Sequence, residues 1–63
     1  MNNLKAMREL RGLTQKELAD ASGVNIRILQ YYEQGRKNIN HGRAEAIVKI
    51  ANALQCAVTD ILN

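Results

Sequence analysis

The sequence predicts an all-α fold of five short helices around one core. Apolar residues make up 46% of the 63, yet only two are aromatic and neither is Phe or Trp, so the core is expected from Leu, Ile, Val, Ala and Met. Proline is absent, and apolar positions recur at three and four residues instead of alternating, which is the helical period. Capping residues and glycines bracket the first three of these segments. This much apolar content argues against disorder, and so short a chain makes one domain at most, residues 1–63.

Leu4, Met7 and Leu10 stand at roughly helical spacing, with Asn2 or Asn3 to cap the start and Gly12 to end the segment; the first helix is expected from about Asn3 to Arg11. Thr14 precedes QKELADAS with Glu17 three residues on. In this capping-box pattern, hydroxyl and carboxylate each satisfy the other residue's backbone N–H, and Leu13 ahead of the cap can staple against Leu18. The second helix therefore runs from about Gln15 to Ser22. Asn25 is placed to cap a third, Ile26 to Gln34, ended by Gly35.

GRKNINHG, residues 35–42, reads as a basic polar loop whose one sizeable apolar group, Ile39, tethers it to the core. A fourth helix starts between His41 and Ala44, with Asn40 as its expected cap, and carries Ile47, Ile50, Ala51 and Leu54 as an apolar stripe. The fifth is expected over Thr59 to Leu62, capped by Thr59, with Val58, Ile61 and Leu62 turned to the core.

Residues 15–34 are the most informative stretch: two short helices joined by a tight turn, the pattern of a helix-turn-helix. Ala19 supplies a small side chain where the helices cross. Gly23 supplies a residue that takes positive φ without steric cost. Leu18, Val24, Leu29 and Tyr32 provide the apolar groups that join the two helices to the domain, which leaves polar and basic groups on the outer face of the second.

Nine Lys and Arg against six Asp and Glu give a formal charge of +3. The excess is localised: residues 11–43 hold Arg11, Lys16, Arg27, Arg36, Lys37 and Arg43 against Glu17, Asp20 and Glu33, and the remainder balances to zero. Such a field attracts a polyanion, although charge alone fits a merely solvated basic surface equally well. A single cysteine, Cys56, excludes an intramolecular disulfide and a thiolate zinc cluster and reads as a small core hydrophobe. His41 has no ligand or carboxylate at metal-site spacing, and no nucleophile and base pair can be assembled, so no metal, cofactor or catalytic activity is expected. With no signal peptide or membrane-length apolar run, a cytoplasmic protein without a membrane partner is expected.

LKAMRELRGLTQKELADASGVN, then YYEQG, then IVKIANALQCAVTDIL resembles the phage lambda-type repressor and Cro (XRE) family of helix-turn-helix proteins, over nearly the whole chain. The resemblance implies that helix three enters the major groove of double-stranded DNA while helix two braces it. The base-facing residues would then be Ile26, Arg27, Gln30 and Tyr31. Arg27 can donate twice to guanine, Gln30 can pair with adenine and Ile26 can cover a thymine methyl; the Tyr31 hydroxyl could equally reach a phosphate. Phosphate contacts would come from Gln15, Arg36, Lys37 and Asn38, with Asn25 first a cap and secondarily a phosphate or base contact. Arg11, Lys16 and Arg43 would add only to the general field. Arg8 and Glu33 match a partly buried structural ion pair.

The sequence departs from the family pattern in Tyr31-Tyr32, where a polar residue followed by an aliphatic one is usual; Tyr32 should lie inward, its hydroxyl needing a partner. The loop from Arg36 to Arg43 is also about three residues longer than in the family's short members.

These readings converge on a small transcriptional regulator of repressor type, binding specific DNA as a homodimer because one helix in one groove offers too few contacts for genomic specificity. Apolar surface near helix five is the expected dimer patch. The alternative from another class is a protein-interaction module, such as an antitoxin-like or adaptor domain. It would need a contiguous apolar face on helix three. Ile26, Ile28 and Tyr31 keep it in view, but Arg27, Gln30 and Gln34 interrupt that face. A third reading, an architectural DNA-binding role, would show a steep salt dependence without sequence preference.

Overall fold

In the computed structural model, which describes residues 2–63, four α-helices and two short 3₁₀ turns enclose one apolar core. The helices are α1 (Asn3–Leu10), α2 (Gln15–Ser22), α3 (Ile26–Gln34) and α4 (Ala44–Leu54); the 3₁₀ turns are Ile39–His41 and Val58–Asp60. α2 packs on both α3 and α4, and α1 lies against α3 and the terminal turn.

Local capping chemistry sets most of these boundaries. The Asn2 side chain accepts from Lys5 N at 2.9 Å to start α1, and its amide nitrogen donates to the Tyr32 and Glu33 carbonyls at 2.8 and 2.9 Å. One side chain thus caps the start of α1 and serves carbonyls near the end of α3, groups that helix termini otherwise leave unpaired. α1 ends at Leu10, one residue short of the expected Arg11, which is its C-cap. α2 begins on the full capping box: Glu17 N donates to Thr14 Oγ1 at 3.1 Å, and Thr14 N donates to Glu17 Oε1 at 2.9 Å.

The core contains Leu4, Leu18, Val24, Leu29, Tyr32, Ile39, Ile47, Ile50, Ala51, Leu54 and Ile61. The α4 stripe and the Ile39 tether are therefore buried as expected. Met7 and Cys56 are only partly buried against this core, while the aromatic Tyr32 lies inside it.

Three expectations about the second half are corrected. The fifth helix is a three-residue 3₁₀ turn over Val58–Asp60, and Thr59 does not cap it. Ala57 N donates to the Asp60 carboxylate at 2.9 Å instead, which closes a short turn within the segment and leaves no room for the repeated i to i+4 bonds of an α-helix. Ile61 follows directly and is fully buried, with Val58 and Leu62 partly so; among the described residues the large exposed apolar groups are Leu10 on α1 and Val48 on α4, 72% and 44% exposed.

Asn40 does not cap α4. Gly42 and Arg43 are extended, so the helix begins at Ala44 without a side-chain cap. Asn40 instead exchanges two hydrogen bonds with Asn63, its amide donating to Asn63 O at 2.7 Å and its carbonyl accepting from Asn63 N at 2.9 Å. Residues 35–42 are also not all loop, because Asn38 accepts from Asn40 N at 2.9 Å and nucleates the first 3₁₀ turn.

α4 ends at Leu54 and is capped by Gln55, which holds φ of 55° without being glycine. Arg11, expected only to add to the field, donates from Nε to Leu54 O at 2.8 Å and from Nη2 to Gln55 O at 3.3 Å. A cation at the carbonyl end of a helix complements its dipole as well as these acceptors.

Candidate nucleic-acid interface

The junction between α2 and α3 depends on two residues. Gly23 sits at φ 74° and donates its N–H to Ala19 O at 2.9 Å, closing α2 in the left-handed conformation that a side chain would strain. Ser22 is buried and its hydroxyl is used twice, accepting from Val24 N at 3.1 Å and donating to Ala19 O at 3.4 Å. The chain then extends into Asn25, whose side chain accepts from Arg27 N at 2.8 Å and starts α3. Asn25 is thus engaged as a cap.

Leu29 and Tyr32 anchor α3 to the core. Helical spacing then places Arg27, Gln30, Tyr31 and Gln34, an i, i+3, i+4, i+7 set, along the opposite side. Arg27 and Gln34 are exposed and Gln30 and Tyr31 half-buried, so three of the four expected base-facing residues share one row. Ile26 lies at the edge of that row, half-buried in an open crease with Lys16, Ala19, Asp20 and Asn25. Gln34 completes the row and was not among the expected site residues, although its seven-residue spacing from Arg27 is visible in the sequence.

Beneath this face Arg8 and Glu33 form a two-point ion pair, Nε to Oε2 at 2.8 Å and Nη2 to Oε1 at 2.9 Å, with side chains 12% and 3% exposed. Arg8 Nη1 also donates to Leu13 O at 2.8 Å. The hydrogen bond to Glu33, more than the nearby negative charge, holds the Arg8 pKa above its ordinary value despite desolvation. This bridge ties α1, the segment before α2 and the last turn of α3 into one unit. Gln15 joins it, its Nε2 donating to Glu33 Oε1 at 3.2 Å. The Gln15 amide is therefore partly committed to the interior, which the sequence alone did not indicate.

The loop after α3 begins at Gly35, φ 77°, and carries Arg36, Lys37 and Asn38, all exposed. Arg36 N and Lys37 N both donate to Tyr31 O, at 2.9 and 3.3 Å. The Asn38 side-chain oxygen is occupied by Asn40 N. Arg43 lines the same hollows as Lys37 and Tyr32, so the fold brings a cation of the α4 start beside the loop cations. Among the described residues, ion pairs engage Lys5, Arg8 and Lys49 but not Arg27, Arg36, Lys37 or Arg43. These four leave their positive field uncancelled by a contacting carboxylate.

Among the described residues no three His, Cys, Asp or Glu side chains are grouped to hold a metal ion, and no helix is long and apolar enough to cross a membrane. Burial, with a smaller contribution from Asp60, pushes the Cys56 thiol up.

No curated protein and no solved structure matches the chain significantly. A helix-turn-helix family model matches residues 4–61, which takes in all four helices apart from Asn3 and extends to the buried Ile61. The chain belongs to the XRE family of helix-turn-helix proteins, the lambda repressor and Cro-like DNA-binding regulators.

Proposed function

We propose that this chain is a sequence-specific double-stranded DNA-binding protein, a small transcriptional regulator of repressor type that reads the major groove with α3. The observation that carries the reading is the row of Arg27, Gln30 and Tyr31 on the side of α3 away from its buried Leu29 and Tyr32. An α-helix with its side chains is about 10–12 Å across, which suits a major groove about 12 Å wide. Arg27 donates in two-point fashion to a guanine, Gln30 pairs with an adenine, and Ile26 and Tyr31 contact the neighbouring bases. Arg36 and Lys37 neutralise phosphates, with Asn38, Asn25 and Gln15 as polar phosphate contacts. For Gln15 this requires sharing its amide with Glu33.

The chain works as one domain, in the cytoplasm, and catalyses no reaction. It occupies its site as a homodimer, because a single helix supplies too little discrimination against the genome's competing sequences. Two-fold related copies would place half-sites about 10 bp apart or a multiple of that. Among the described residues the large exposed apolar groups, Leu10 and Val48, lie on α1 and α4 rather than on α3, which favours DNA over a protein ligand for the α3 face.

Fluorescence-anisotropy titration of labelled mixed-sequence duplex at several salt concentrations tests the DNA partner itself. Binding that weakens with salt is the expected result. A folded chain that leaves the duplex unbound at low salt would refute the reading.

A further inference from the structure

We propose that Lys37 is a positioning residue for Tyr31, so that base preference at the pair Tyr31 reaches depends on a side chain in the loop outside the reading helix. The inference rests on α3 being the base-reading element. Two independent contacts join these residues. Through the backbone, the Tyr31 carbonyl accepts the N–H groups of Arg36 and Lys37 at 2.9 and 3.3 Å, which fixes the loop's departure from α3 on Tyr31 itself. Through the side chains, the Lys37 ammonium stands 5.9 Å from the centroid of the Tyr31 ring, within cation–π range.

The tyrosine ring is half-buried on the outer row of α3. An ammonium over one face of an aromatic ring restricts its rotation and leaves the other face, the edge and the hydroxyl for a partner. The following residues stiffen the arrangement: Asn38 caps the first 3₁₀ turn, and Ile39 within that turn is buried. Lys37 thus starts from a loop anchored at both ends. A lysine that only neutralised a phosphate would affect every duplex alike. A lysine that sets the Tyr31 ring changes what is read.

Two measurements test this. In the free protein, the Lys37 ε-methylene protons should be shifted upfield by the Tyr31 ring current and return to ordinary positions in Tyr31→Leu; ordinary positions in the unsubstituted chain would overturn the inference without reference to DNA. In selections from a randomised duplex library, Lys37→Met should lose preference by a factor of about two to five at the base pair where Tyr31→Leu also loses it, with Lys37→Arg retaining it. Equal weakening on all sequences by Lys37→Met would overturn the positioning role and leave the α3 reading intact. A folded parent chain that enriches no motif would overturn the α3 reading and this inference with it.

Discussion

Gly42 approaches Tyr32 so closely that a Cβ on it would overlap the tyrosine hydroxyl and lie 3.0 Å from Cζ. Its φ of −71° is open to any residue, so the requirement for glycine is steric and comes from the aromatic residue that stands inward on α3. The Ile39 carbonyl, 3.2 Å from the same position, closes a second side. Gly42→Ala should therefore destabilise the fold by about 1 to 3 kcal/mol through overpacking, and Tyr32→Phe in the same chain should recover part of the loss. Chemical denaturation of the single and double variants checks this; additive losses would contradict the overlap.

The Arg8–Glu33 bridge should fail asymmetrically. Arg8→Met leaves the Glu33 carboxylate buried with the Gln15 amide as its remaining side-chain partner. A loss of about 3 to 5 kcal/mol is expected from stranding a charge. Replacing both, Arg8→Met with Glu33→Leu, should cost less than Arg8→Met alone. A double variant as unstable as the sum of the singles would show that the charges are not coupled.

Where a signal is local, the sequence is enough to locate the element. Thr14 with Glu17, Asn25 before α3, Gly23 and Gly35 at the turns, and the Ile47–Leu54 stripe all act within a few residues, so spacing alone reveals them. Other features depend on residues far apart in the chain. Nothing periodic connects Asn40 to Asn63 or Arg11 to the end of α4, and each of these contacts displaced a local expectation. The last segment is ambiguous in sequence because a three-residue turn and the start of a helix share the same apolar and capping residues. For the candidate site, periodicity yields the outer row of α3, including the overlooked Gln34, but the diversion of the Gln15 amide to Glu33 depends on tertiary packing.

The capping box at α2 should make stability depend on pH in a defined direction. Hydrogen bonding to the backbone of Thr14, then to its side chain, holds the Glu17 carboxyl below its ordinary range. A carboxylate whose folded pKa is lowered contributes stability that is complete above the unfolded value, about pH 4, and is lost as pH falls through the folded value. The Tm advantage of the unsubstituted chain over Glu17→Ala should thus be largest near neutrality and shrink below about pH 4. An advantage that grew on acidification would contradict the assignment.

Arg27→Ala separates base reading from phosphate contact. A two-point donor to guanine should cost about 1 to 3 kcal/mol on the preferred duplex when removed, with relaxed preference at one base pair. Competition binding against single-base variants of the site makes the comparison. A uniform loss on every duplex would move Arg27 to the backbone contacts.

Base reading by α3 is tested most directly by selection of the purified, folded chain on a randomised duplex library at near-physiological salt. The expected result is an enriched motif containing a guanine whose preference disappears in Arg27→Ala, in two symmetric copies centred about 10 bp apart or a multiple of that. Retention of duplex without any enriched sequence would contradict base reading by α3.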